Sequence, residues 1–406
     1  MERYRRLLRN RPFARLWTGS TISAFGDSLT WVALVWLVYT RSGSPRDVSA
    51  LVIVATAPVF VGGVLMGAAL DRFERRRFLA LVNVVLGSAV LSVPLAAVTG
   101  DVTSAHLFAV AGLYGFLKMA NWAGVPSIVP TLVADTDDLA TANAMESVSF
   151  GIADIAGPAA AGVLIAIIGA TSVLGIDAAS YLIFVIVLLS LPSQAVPARP
   201  LGERGLRLRP ALRFIRNDRA IFSTTVMFMF ANIGEGMMIV VIPVYAREVL
   251  GGGSGTYGLL LSAFALATTA GAALVGGMTW RRPFGTSIAA SQALFGLSYA
   301  PLIALPGIGP AVGVLAVAGV LGSPLTIWAQ TLRMQRIPDA MRGRVFGLLR
   351  TLMQSTPPIG GALAGMLIPT VGLRWTLAIV VAAIGVPGAI GLTLASLATN
   401  ERASAL

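Results

Sequence analysis

The chain has 406 residues, of which 56% are hydrophobic and only 12% charged, with a formal net charge of +12 and no cysteine. Soluble proteins carry about twice that charged fraction, so an ordinary water-exposed globule is excluded. The missing cysteine also excludes a disulfide framework, a thiol nucleophile and a cysteine-ligated metal.

A bilayer core needs roughly 20 apolar residues per helical span. Twelve such runs follow one another: 13–39, 48–70, 78–99, 106–131, 141–169, 172–191, 220–246, 256–280, 286–305, 309–333, 344–371 and 373–398. They lack the two-residue alternation of barrel strands, so helices are expected. The first run is too long for the core of a cleavable signal and lacks a small-residue cleavage site, so it is expected to stay as a span. With Met1 on the cytoplasmic side, 24 basic residues fall in inside segments and four (Arg41, Arg46, Arg247 and Arg374) in outside ones. That bias predicts a cytoplasmic-membrane protein with both termini inside. It also accounts for the positive charge through topology and lipid headgroups, with no nucleic acid as partner.

Between spans six and seven lies a Pro- and Arg-rich segment, 192–219. It divides the chain into an N-terminal bundle, 1–191, and a C-terminal bundle, 220–406. Leu212, Phe214 and Ile215 interleave with Arg209, Arg213, Arg216 and Arg219, which predicts a short basic amphipathic helix on the membrane face. The two bundles share an origin: GPAAAGVLIAIIG at Gly157–Gly169 returns 203 positions later as GGALAGMLIPTVG at Gly360–Gly372, with seven positions identical. Repeated halves of apolar helix are the pattern of secondary transporters, which place substrate sites near the membrane midplane.

Four ionisable residues lie inside spans at similar depth, each about 20 Å from the cytoplasmic end at ~1.5 Å per residue: Asp27, Lys118, Asp154 and Glu235. Such residues are expensive in lipid and usually face a cavity or a partner. Lys118 is the single lysine. Spans four and five are sequential and antiparallel, so a Lys118–Asp154 ion pair is expected, either as part of the transport cycle or as a clamp between two helices. Asp27 and Glu235 have no basic partner near in sequence. A carboxyl without a partner in low dielectric takes up a proton more readily than in water, so these two are the expected proton-coupling or substrate-contacting groups. Trp31, Asn121, Trp122 and Asn232 each lie one turn from one of these charges and are candidate cavity walls for an amphipathic substrate. Asp177, only five residues into its run, is expected near the outer surface, and Glu146 and Arg350 near cytoplasmic span ends, as gate or latch residues. His106 opens span four as an interfacial side chain. No P-loop, H-E-x-x-H or nucleophile elbow is present, so no enzyme, cofactor or metal is expected.

The loop after span two reads GAALDRFERRR, Gly67 to Arg77. Gly67, Asp71, Arg72, Arg75 and Arg76 resemble the signature loop of the major facilitator superfamily, and Glu74 in place of its second glycine resembles the branch of macrolide, multidrug and siderophore exporters. The resemblance implies a cytoplasmic latch, with Asp71 facing the start of span eleven near Gly343 and Arg344. At the equivalent place in the second half, Gly276 to Pro283, Trp280 stands where the aspartate would be. Ala153, Gly157, Pro158, Ala161 and Gly162 resemble the antiporter motif of that superfamily, with two glycines replaced by alanine. Asn10–Trp17, Ser23–Asp27, Leu139–Ala144, Pro243–Tyr245 and Tyr257-Gly258 extend the likeness to the exporter branch over nearly the whole chain. It implies an all-α, twelve-helix fold in two six-helix bundles, working as a monomer, with proton-coupled efflux of a small amphipathic molecule or drug by alternating access. A proton-independent facilitator or flippase for a lipid-like metabolite uses the same fold, and a non-transporting membrane sensor is the remote alternative.

Overall fold

The computed structural model describes residues 2–100, 102–133, 136–193, 208–276, 278, 280, 282–338 and 341–394. Every regular element among them is helical. Ten stretches are long and apolar enough to cross a membrane. Two further spans come from α6 (Ser104–Leu132), whose polar residues dilute it, and from Val345–Gly391, which is long enough for two spans rather than one. The division falls at Gly372, where φ is 85° and ψ is 167°. The twelve spans are therefore present, but not as twelve single helices.

The chain divides into two compact units: Met1–Gly43 with Ala50–Leu201, and Ser44–Ser49 with Gly202–Leu406. In the first unit α1 (Glu2–Arg9) precedes α2 (Arg11–Ser42), followed by α3 (Pro45–Thr56, whose first turn belongs to the second unit), α4 (Pro58–Arg72), α5 (Arg75–Thr99), α6, α7 (Thr136–Ile168) and α8 (Ala170–Ser190). Helix α2 packs on α7, α8 and α6, and α5 packs on α8. Its start is fixed by Asn10, whose side chain accepts from the Phe13 amide at 3.3 Å and donates to the Leu132 carbonyl at 2.8 Å, and it ends at Gly43 in the left-handed region. A capping side chain satisfies amides that the helix itself leaves unpaired.

The second unit repeats the scheme. It contains α9 (Leu208–Asn217), α10 (Arg219–Val244), α11 (Ser254–Gly276), α12 (Phe284–Ser298), α13 (Ile308–Arg336), α14 (Arg342–Gln354) and α15 (Pro357–Gly391). Helix α10 packs on α15 as α2 does on α7 and α8, α11 on α13 as α4 does on α6, and α12 on α15 as α5 does on α8. The duplicated peptide explains part of this. Its last glycine, Gly169 in one copy and Gly372 in the other, has φ near +82° and +85° and turns the chain between consecutive spans. A residue with a Cβ is strained there.

Helix α9 corrects an expectation. Its apolar face does not lie open for a membrane surface: Ala211 and Ile215 are buried in a cluster with Ile221, Ile337, Val345 and Leu349. Its arginines and Leu212 remain exposed. The helix is amphipathic, and protein covers most of its apolar stripe. The rest of the linker, 194–207, lies outside the described residues.

Candidate functional site

The first unit holds a cluster of buried polar groups where α2, α6 and α8 meet. Asp27 on α2 is 8% exposed. Its carboxylate lies 3.4 Å from the Lys118 ammonium of α6 and accepts a short hydrogen bond from the Tyr181 hydroxyl of α8. Lys118 also donates to the Tyr114 hydroxyl at 2.8 Å, and Tyr114 donates to the Asp27 backbone carbonyl at 3.2 Å. The ammonium lies 5.0 Å from the centre of the Tyr114 ring and 6.0 Å from that of Trp122. Such contacts help hold a cation away from water.

One helical turn further out, Thr30 donates to Asp177 at 2.5 Å, and Ser180 donates to the same carboxylate at 2.8 Å. Helices α2 and α8 run in opposite directions, so Asp27 meets Tyr181 and Thr30 meets Asp177. The close approach needs Gly26: a Cβ there would collide with the Asp177 carboxylate and the Ser180 hydroxyl. Asp177 is fully buried among protein side chains. The cluster thus holds two carboxylates and the chain's one lysine, lined with hydroxyls that can donate or accept. A proton arriving on Asp27 weakens its hold on Lys118, and a cation from outside can compete for the same carboxylate.

The expected pair of Lys118 with Asp154 falls on a side chain outside the described residues. The expectation that Asp27 lacks a basic partner is corrected by Lys118, which sequence distance concealed because α2 and α6 are separated by three helices. Asn121 is a packing residue rather than a cavity wall: it exchanges reciprocal amide hydrogen bonds with Asn83 at 2.8 and 3.0 Å, buried between α5 and α6. Trp31 is half-buried on α2.

The antiporter-like motif on α7 packs against the same stretch of α2. Ser28 donates to the Ala153 carbonyl at 3.0 Å, and a Cβ on Gly157 would collide with Ser28. Ala161 is fully buried, Gly162 is buried and Pro158 lies inside the helix. The motif therefore fixes the helix that carries Asp27. Glu146, lower on α7, is buried and accepts from Ser20 at 3.2 Å, again on α2.

In the second unit, Asn232 on α10 donates to the Met353 carbonyl of α14 at 2.9 Å, which makes it a helix tie. Glu235, one turn on, is accessible, and among the described residues no hydrogen bond or ion pair holds it. Among those residues no group of three or more His, Asp or Glu could hold a metal ion.

This helical scaffold with charged groups inside its spans has known counterparts. A sequence profile described as "transmembrane secretion effector", a major facilitator type, matches residues 6–405. The chain belongs to that family. It is 27% identical over 369 residues to the "Multidrug efflux pump Tap" of Mycobacterium tuberculosis, covering 87% of this chain and 86% of that one. It is 24% identical over 360 residues to the "Enterobactin exporter EntS" of Citrobacter koseri, covering 88% and 86%. Among solved structures, that of the nucleoside transporter NupG superposes with a TM-score of 0.72 at 14% identity, over 93% of this chain and 99% of that one, a likeness of fold.

In this major facilitator protein the signature loop joins α4 to α5. Arg75 donates to the Ser127 carbonyl at 2.9 Å, and Arg76 donates to the Leu191 carbonyl. Glu74 pairs with Arg76 at 3.2 Å and Arg77 at 2.8 Å and accepts from Ser193 at 3.0 Å. The loop arginines therefore tie the start of α5 to the ends of α6 and α8 within one unit. Gly67 touches nothing within 4 Å of where a Cβ would stand, and Arg72 ends α4 beside Asp71. The side chains of 342–344, where the latch partner is expected, lie outside the described residues. In the second half Trp280 donates to Ser287 at 2.7 Å and packs on Trp328 at 4.4 Å, a neutral contact in place of the charged one.

Proposed function

We propose that this protein is a secondary transporter that exports an amphipathic small molecule against protons. The observation that carries the reading is Asp27 within a span, held at once by Lys118 and Tyr181. A buried ion pair is weak support for stability alone, because desolvation offsets its attraction, and its retention in a span suits a group that changes partners. In this reading, protonation of Asp27 loosens Lys118, and deprotonation restores the pair. Glu235 supplies a second, accessible carboxylate for proton or substrate. The names carried by the relatives, a multidrug efflux pump and an enterobactin exporter, support export of small molecules.

The test is substrate-dependent proton movement in proteoliposomes with an internal pH dye. The wild-type protein is expected to move protons when a transported drug is added, and Asp27→Asn to bind the drug but move none. Drug transport with no proton movement in the wild type would support instead the facilitator or flippase reading.

A further inference from the structure

A furrow of about 370 Å³ opens on the first unit between the beginning of α2 and the end of α8. Arg11, Arg15, Thr18 and Ile22 form one wall, and Ile183 and Val187 the other. The spacing of four, three and four residues puts the α2 wall on a single helical stripe, and all four of these residues are exposed. The furrow is charged at one end and apolar at the other. Among the described residues no carboxylate pairs with Arg11 or Arg15.

The floor is fixed by close packing. A Cβ on Gly19 would sit 3.0 Å from Phe184 Cδ2 and from Val187 Cγ1, so the helices touch there. The charged end is anchored too. Arg6 of α1 pairs with Asp138 at 2.8 Å, Leu7 is 2% exposed, and Asn10 holds the Leu132 carbonyl. The turn that presents Arg11 is therefore held before any ligand arrives.

Length supplies the last constraint. Arg11 to Ile22 spans roughly 16 Å of helix, close to one leaflet of a hydrocarbon core about 30 Å thick. The arginines begin the span, where headgroups lie, and the apolar walls run inward from them.

We propose that this furrow binds one anionic phospholipid, with the headgroup phosphate on Arg11 and Arg15 and an acyl chain along Thr18, Ile22, Ile183 and Val187. Basic pockets between transmembrane helices recognise acidic headgroups in this way. The furrow shares no lining residue with the Asp27 cluster. The lipid seated there would brace α2 against α8, the two helices that carry Asp27 and Tyr181.

The test is native mass spectrometry of the full-length protein with phosphatidylglycerol and with phosphatidylcholine of identical chains. The wild type is expected to retain one phosphatidylglycerol with about 10- to 30-fold preference, from two arginines near the membrane surface. Arg11→Gln with Arg15→Gln should abolish the preference, and Arg213→Gln with Arg216→Gln, on exposed positions of α9, should keep it. Equal loss in both double variants would mean diffuse attraction to a basic protein and would overturn the site. Full preference in the Arg11/Arg15 variant would overturn it as well. Displacement of the lipid by soluble glycerol phosphate at equal concentration would reduce the furrow to a phosphate site and refute the chain-binding half. All substitutions lie on exposed arginines, and unchanged thermal unfolding in lipid-free detergent verifies that the variants fold.

Discussion

The lone lysine shows how much one residue's partners decide. Lys118 is stabilised by a carboxylate, a phenol and two ring faces. Removing one member of a buried pair leaves the other charge uncompensated, a loss of about 3–5 kcal/mol in well-buried cases. The Lys118 side chain is 24% exposed, which places this site at or below the low end. Lys118→Met is therefore expected to lower the unfolding temperature, and Asp27→Asn combined with Lys118→Met to recover most of it, because both charges are then gone. Thermal unfolding of the single and double variants measures this, and additive losses would show that the two residues do not act as a pair. Asp177 gives a second contrast. Asp177→Asn keeps an oxygen for Thr30, whereas Asp177→Ala leaves the Thr30 and Ser180 hydroxyls without their acceptor in the interior. The alanine variant is expected to be less stable by roughly 1–3 kcal/mol, read as a lower midpoint than the asparagine variant in the same detergent. The sequence shows every member of this cluster but not its assembly. Asp177 and Tyr181 were legible as one helix face four residues apart, and only the antiparallel register with Asp27 and Thr30 reveals that the face is occupied.

At the scale of elements, glycines decide where helices can touch, and they do so unequally. A Cβ on Gly360 would collide with the backbone carbonyl of Ile233 on α10, and one on Gly157 would collide with Ser28 on α2. Both belong to the duplicated peptide, and both seat the fifth helix of a unit on its first. Gly63 meets nothing within 4 Å. A backbone obstacle cannot rotate away, so Gly360→Ala is expected to cost about 1–3 kcal/mol through forced separation of α10 and α15. Gly63→Ala should stay within about 0.5 kcal/mol of the wild type. Fluorescence-detected melting of the two variants decides the matter, and equal midpoints would mean that α15 shifts without cost. The repeat was legible in the sequence because small residues recur at fixed spacing. Which glycines form contacts was not, since Gly62 faces the Phe116 carbonyl while its neighbour Gly63 faces open space. The basic amphipathic pattern of α9 was equally plain, yet a helix stripe carries no mark of whether lipid or protein will cover it, and here Ile337 and Val345 do.

Across the whole molecule, the duplicated scaffold separates two kinds of carboxylate. The first unit binds its acid tightly: Asp27 is buried and held from two neighbouring helices. The second leaves Glu235 accessible and, among the described residues, without a hydrogen bond or ion pair. Equal helices at equal places in the repeat thus carry carboxylates with different surroundings. Replacing Asp27 disturbs a network and strands Lys118, so stability and transport should fall together. Replacing Glu235 breaks no described hydrogen bond or ion pair, so Glu235→Gln is expected to lower the melting point less than Asp27→Asn does. If Glu235 carries a proton or meets substrate, the same variant should lose proton-linked drug movement in proteoliposomes. The two readouts must therefore separate for Glu235 and coincide for Asp27. A Glu235→Gln protein that melts normally and transports normally would remove this residue from the cycle and leave the chemistry to the first unit alone. One that melts much lower would mean that the carboxylate does hold the fold, and that accessibility within a span is no sign of a free functional group here.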